Sequence, residues 1–229
     1  MAKPLKQQLN LEQIRDQYPF RNRYVKITHP MGDDERKSII HYVDEGKGVP
    51  VVFVHGNPTW SFSFRNVIRS LRTDFRCVAL DHLGCGLSEK SRKFDYNLAD
   101  RATLLERFLD ELEIDSCHLV VHDWGGAIGM AVATRKPERI RSITITNTAA
   151  FESDWISWSI RICRWPLLGR LINYHLNLFL GAALRMAVER PLSRSAKTGY
   201  RLPYRKTRAR EAIDQFVKDI PMSDSHPSY

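Results

Sequence analysis

Val121-His122-Asp123-Trp124-Gly125-Gly126 joins an apolar run, Cys117 to Val121, to a Gly/Ala-rich run, Gly125 to Ala133, that Lys136-Pro137-Glu138 closes. The first run has the length and composition of a buried strand, and the second suits a helix packed closely on a sheet. A strand that passes so abruptly into a helix makes a sharp turn and projects one side chain, here Asp123. A carboxylate at that point is favoured by the helix dipole and by the free N–H groups of the first turn. It can also attack carbon directly and form an ester intermediate. The alternative is an aspartate that only caps the helix. Two further motifs in register with this one set that alternative aside.

Outward from the turn, short β-rich runs alternate with helical patterns between residues 50 and 147. The expected fold is therefore α/β, with a mostly parallel sheet and helices on both faces. Val51 to Val54, Phe75 to Leu80, Cys117 to Val121 and Ile140 to Thr146 are the expected strands. Arg23 to Thr28 and Lys37 to Val43 are expected to form two more, joined through Pro30, Gly32, Asp33 and Asp34. Leu104, Leu105, Phe108, Leu109 and Leu112 recur at helical spacing opposite Glu106, Arg107, Asp110 and Glu111. From 151 to 218 the chain is helical, Trp- and Arg-rich, and without a clear strand. The expected organisation is a core over 1–150, a helical cap or lid over 151–225, and the start of a return to the core over 226–229.

The second motif, His55-Gly56-Asn57-Pro58-Thr59-Trp60, follows the Val51 to Val54 strand. A glycine turn there lets backbone N–H groups face the nucleophile as an oxyanion hole, and Asn57 adds a side-chain donor. Turn chemistry from Asn and Pro is the plainer reading and operates alongside it. The third motif is Asp81-His82-Leu83-Gly84-Cys85-Gly86-Leu87-Ser88, after the Phe75 to Leu80 strand. Asp81 and His82 could be read as a catalytic pair, but a hydrogen-bonded loop anchor is preferred. All three motifs fall at the C-terminal ends of strands, where open α/β sheets bind ligands.

Composition narrows the classes. The chain has 229 residues and a net charge of +9, yet Arg161 to Arg210 holds twelve Lys/Arg against Glu189 alone, leaving about −2 elsewhere. Such a region could meet nucleic acid, an anionic membrane or an acidic partner. A solvated lid surface is preferred, and no nucleic-acid motif is present. Cys77, Cys85, Cys117 and Cys163 form no CxxC pair, so neither a metal site nor a cofactor is expected, and a reducing cytoplasm is. The N-terminus has no apolar signal region, and the apolar stretch Leu176 to Leu184 is too short to span a bilayer.

These motifs resemble the haloalkane dehalogenase group of α/β-hydrolases, from about Tyr24 onward. The resemblance implies an α/β-hydrolase fold in which Asp123 displaces halide, with a histidine-activated water then hydrolysing the ester. Backbone N–H groups of Asn57 and Trp124 would form the oxyanion hole, and their side-chain N–H groups would hold the halide. Asp81 to Ser88, Gly125 to Met130 and Asn147 to Phe151 resemble, more closely still, the β-lactone decarboxylases of bacterial long-chain olefin biosynthesis. That branch implies a long-chain β-lactone substrate and an assembly with partner enzymes. Asn147 stands where some dehalogenases carry the triad acid, which points to the branches whose acid follows the lid.

Beyond the lid the family adds two strands, a triad acid and a histidine. On that comparison these are expected to be missing here, leaving an unpaired sheet edge and impaired turnover. None of the eight histidines follows a strand downstream of the lid. Two alternatives stay open. An epoxide hydrolase would use Tyr174, Tyr200 or Tyr204 as lid acids, though Asn57 fits the dehalogenase group better. A non-catalytic interaction module would use the basic lid as its contact surface.

Overall fold

Three short apolar runs, Val51 to Val54, Cys77 to Leu80 and Cys117 to Val121, supply the middle of the sheet, because their side chains alternate between two covered faces. In the computed structural model, which describes residues 10–31, 34–91, 94–150 and 156–228, the strands are β1 (Arg23–Met31), β2 (Asp34–Glu45), β3 (Pro50–Val54), β4 (Arg76–Leu80), β5 (Cys117–His122) and β6 (Ile140–Thr146). The order is β1-β2-β4-β3-β5-β6. β4, β3, β5 and β6 are mutually parallel, and β1 and β2 join antiparallel at one side. The mostly parallel sheet expected from the sequence is present.

The helices of the core are α1 (Arg65–Leu71), α2 (Leu98–Glu111) and α3 (Trp124–Arg135). Val52, Val54, Val78, Leu80, Leu119 and Val121 bury one sheet face against α2 and α3, through Leu105, Phe108, Ile128 and Val132. Val51, Phe53, Cys77 and Ala79 bury the other face with Phe64 and with Ile68 of α1. This period of two is what the strand pleat requires of a sheet covered on both sides. Asn97 starts α2 by accepting the N–H of Asp100 at 2.8 Å.

The β1–β2 hairpin runs longer than its apolar pattern suggested. The ladder continues through His29 opposite Arg36 to Met31 opposite Asp34. β1 is an edge strand, so polar residues and Pro30 are tolerated there and the apolar periodicity stops early. The turn residues Gly32 and Asp33 lie outside the described residues. At the opposite edge, β6 pairs with β5 alone among the described residues, and Ile145 is 60% exposed.

Residues 156–228 hold no strand among those described. They form α4 (Trp158–Cys163), α5 (Pro166–Arg170), a π-helical turn (Leu171–His175), α6 (Leu178–Met186), α7 (Arg194–Arg201) and α8 (Glu211–Lys218). The first residues of the expected cap, 151–155, lie outside the described residues, as does Tyr229. Near the end, Ser228 Oγ donates to Asp219 at 2.6 Å and accepts the N–H of Leu98 at 3.3 Å, so this segment lies on the start of α2.

Candidate active site

Asp123 sits between the last residue of β5 and the first of α3, with φ 54° and ψ −130°. A non-glycine residue at positive φ is strained, and such strain persists only where the surroundings enforce it. Three contacts do so. The Asp123 N–H donates to the Asn147 carbonyl at 3.2 Å, the Asp123 carbonyl accepts from Gly126 N–H at 2.9 Å, and it also accepts from Thr148 Oγ1. Asn147 and Thr148 thus brace the turn from the end of β6. Asn147 itself adopts φ 39°.

The small residues around the turn are dictated by approach distances. A Cβ on Gly125 would lie 1.9 Å from the Val54 carbonyl oxygen, and one on Gly56 would lie 2.1 Å from Asp123 Oδ1 and 2.6 Å from Trp124 N. Backbone cannot yield as a side chain can, so the β3 turn and the Asp123 turn come this close only with glycine at both positions.

That approach delivers the Asn57 backbone N–H to Asp123 Oδ1 at 2.6 Å. Burial pushes the Asp123 carboxyl above its ordinary pKa, and the N–H groups of Trp124 and Asn57 pull in the opposite direction by stabilising the anion. The nucleophile candidate is therefore a desolvated carboxylate held by two backbone donors. The Asn57 side chain, expected to aim at the same point, donates instead to the Ile213 carbonyl of α8 at 3.2 Å. An amide nitrogen carries two hydrogens, so one remains available. The Trp124 ring lies 5.5 Å from Phe216, also on α8. Its indole N–H has no protein acceptor among the described residues.

The turn after β3 also fastens the helical region that follows residue 156. Tyr204 donates to the Thr59 carbonyl at 2.9 Å, and Trp60 Nε1 donates to the Gly199 carbonyl at 3.2 Å. With the Asn57–Ile213 bond, three residues of one turn hold three parts of that helical region. The sequence carried no sign of this, because a carbonyl acceptor such as that of Ile213 or Gly199 has no residue signature.

The Asp81 loop is an anchor, as preferred above. Asp81 accepts from Ser61 N–H at 2.8 Å and from Leu87 N–H at 2.7 Å, and it bonds His41 Nδ1 at 2.8 Å. Burial raises its pKa, but His41 and these donors outweigh burial and hold it near about 2. His55 is lowered to about 4 by burial; its Nδ1 meets the Gly56 carbonyl and its Nε2 accepts from His82 N–H. That pair of partners defines a neutral tautomer. His82 is likewise held neutral by burial, with Nε2 on the His55 carbonyl. Among the described residues no histidine hydrogen-bonds to the Asp123 carboxylate.

Comparison with known proteins places the fold. Residues 49–220 match the family model described as alpha/beta hydrolase fold. The chain belongs to the α/β-hydrolase fold family. This hydrolase-fold chain is 41% identical over 197 residues to a cis-3-alkyl-4-alkyloxetan-2-one decarboxylase of Shewanella oneidensis, covering 83% of this chain and 62% of that one. It is 35% identical over 205 residues to haloalkane dehalogenase 2 of Mycobacterium tuberculosis, covering 89% and 68%. Among solved structures, it is similar to the haloalkane dehalogenase DbeA from Bradyrhizobium elkani, with a TM-score of 0.77, 27% identity, and coverage of 89% and 70%. The match to the decarboxylase thus spans about 62% of that relative's length.

Proposed function

We propose that this chain carries the ester-forming half of a haloalkane dehalogenase-like site, with Asp123 as nucleophile. The observation that supports it most is the Asp123 carboxylate on its strained turn, 2.6 Å from the Asn57 N–H. In this reading a carboxylate oxygen attacks the carbon of a carbon–halogen bond, the C–O bond forms, and halide departs with the bonding pair. The free Trp124 N–H and the second Asn57 side-chain hydrogen receive the halide. No cofactor or metal takes part. Hydrolysis of the ester then needs a base to deprotonate water, and the described residues offer no histidine to Asp123 for that step. The substrate is a small apolar organic molecule. The four unpaired cysteines support a reducing cytoplasmic setting.

The test is intact-mass measurement after exposure to a 1-bromoalkane. One alkyl group should add to the chain, map to Asp123, and be absent from Asp123→Asn. A folded sample that acquires no adduct on Asp123 would sink the proposal.

A second reading is favoured by the 41% identity to the oxetanone decarboxylase. There a dialkyl β-lactone opens to an alkene and carbon dioxide, which balances without water or a redox partner, and an assembly with other olefin-forming enzymes is then part of the proposal. Alkene release from a synthetic cis-dialkyl β-lactone, measured by gas chromatography, separates the two. Turnover of the lactone without any alkyl adduct from bromoalkanes would transfer the assignment.

A further inference from the structure

The exposed residues between Trp158 and Arg208 combine two features, bare apolar area and charge of one sign. The first is bare apolar area. Leu167 is 89% exposed, Met186 80% and Trp158 75%, and Trp165, Leu171 and Leu176 are each about half exposed. Helical spacing makes some of them neighbours within one run of helix. Leu167 and Leu171 are four apart along α5 and the turn of helix that continues it, and Leu178, Ala182 and Met186 are spaced by four along α6. Single exposed apolar residues are ordinary, whereas grouped ones rimmed by polar residues mark a contact surface.

The second feature is charge of one sign. Arg161 lies three residues after Trp158 on α4, and Arg185 lies beside Met186 on α6. Both are exposed, as are Arg190, Arg194, Arg201 and Arg208, and none of these six is in an ion pair among the described residues. Glu189 is the sole acid between Arg161 and Arg210.

We propose that this face, built from α4, α5 and α6, lies on an anionic lipid bilayer. Leucine, methionine and tryptophan enter the headgroup–acyl boundary while the arginines meet lipid phosphates, which is the chemistry of helices that rest in an interface. A nucleic acid would use the arginines but leave the leucines unexplained. No described helix is long and apolar enough to cross a membrane, so the contact is superficial. This contact is independent of the chemistry proposed for Asp123.

The experiment is flotation of the 229-residue chain with two kinds of vesicle. One is phosphatidylcholine alone; the other contains about one third phosphatidylglycerol. The chain should float with the anionic vesicles and bind neutral ones at least about tenfold more weakly. Binding should fall as sodium chloride rises from about 0.1 to about 0.5 M. Brominated acyl chains should quench tryptophan fluorescence. Leu167→Ser with Leu171→Ser, and separately Arg161→Glu with Arg185→Glu, should each lower binding by about tenfold or more. All four side chains are exposed, so circular dichroism should be unchanged. Equal binding to both vesicles overturns the proposal, as does binding that ignores the leucine pair. Capture by single-stranded DNA or an acidic peptide without flotation assigns the face to that class instead and overturns it too.

Discussion

The Asp123 turn and the cap surface are both exceptional regions of this chain, and for opposite reasons. At the turn both the N–H and the carbonyl of Asp123 are committed. Asp123 is braced by Asn147, Thr148 and Gly126, and Gly125 leaves no room above Val54. Across the outer face of α4 to α6, leucines, tryptophans and arginines have water for neighbours. The function proposed for the turn would depend on closeness of fit, so single atoms should matter there. Function on the cap would depend on summed area and charge, so no single residue should be decisive.

Substitutions can break this contrast in descending order of effect. Asp123→Asn should abolish alkyl-ester formation entirely by mass spectrometry, while raising thermal stability at neutral pH. Burial raises the Asp123 carboxyl pKa in the fold. Its contribution is therefore favourable below the ordinary carboxyl pKa and is lost as pH rises through the elevated value, so the charged form is a net cost at neutrality. The stability gain should shrink as pH falls through the elevated value and be gone below the ordinary carboxyl pKa, about 4.

Gly125→Val comes next. Its Cβ would meet the Val54 carbonyl at 1.9 Å, and chemical denaturation should show a loss of about 3 kcal/mol or more, or no soluble protein. Asp81→Asn should cost about 3 kcal/mol at neutral pH, since it leaves buried donors poorly matched. The Asp81 pKa is lowered from 3.8 to about 2, so its stabilisation is full above the ordinary value and fades as pH falls through about 2. The acid limb of the stability curve between those values should flatten in the variant.

Trp60→Phe tests the coupling between the regions. It removes the bond to Gly199 and should cost about 1–2 kcal/mol, with faster amide exchange in α7 than in α3. Equal acceleration in both helices would show that the cap and the turn open as one unit. The smallest effect is Leu167→Ser, which should change stability by less than about 0.5 kcal/mol; a larger loss would mean that the residue is packed and the cap face is not free.

The same contrast explains what could be read before the structure. Val51 to Val54 and Cys117 to Val121 were legible as buried strands because a covered strand admits few polar residues. The Asp123 turn was legible because a sharp strand-to-helix junction tolerates only small residues beside it. The continuation of β1 and β2 through His29 and Arg36 was not, since an edge hairpin places little demand on side-chain polarity. Asn147 read as an amide in place of an acid, whereas in the fold its carbonyl holds the Asp123 N–H. The outer cap read as a solvated basic surface, and its grouped leucines appeared only once the helices were placed.

Sequence alone thus determined the α/β layering and the position of Asp123 at the mouth of the sheet, because both follow from local period and from small residues at a sharp turn. Tertiary structure alone decided the partners. It gave Asp123 to the Asn57 backbone N–H, the Asn57 side chain to Ile213 on α8, and the turn after β3 to the cap as a fastening. Each of these contacts joins a side chain to a backbone group far away in the chain, and a backbone N–H or carbonyl is the same in every residue that bears one.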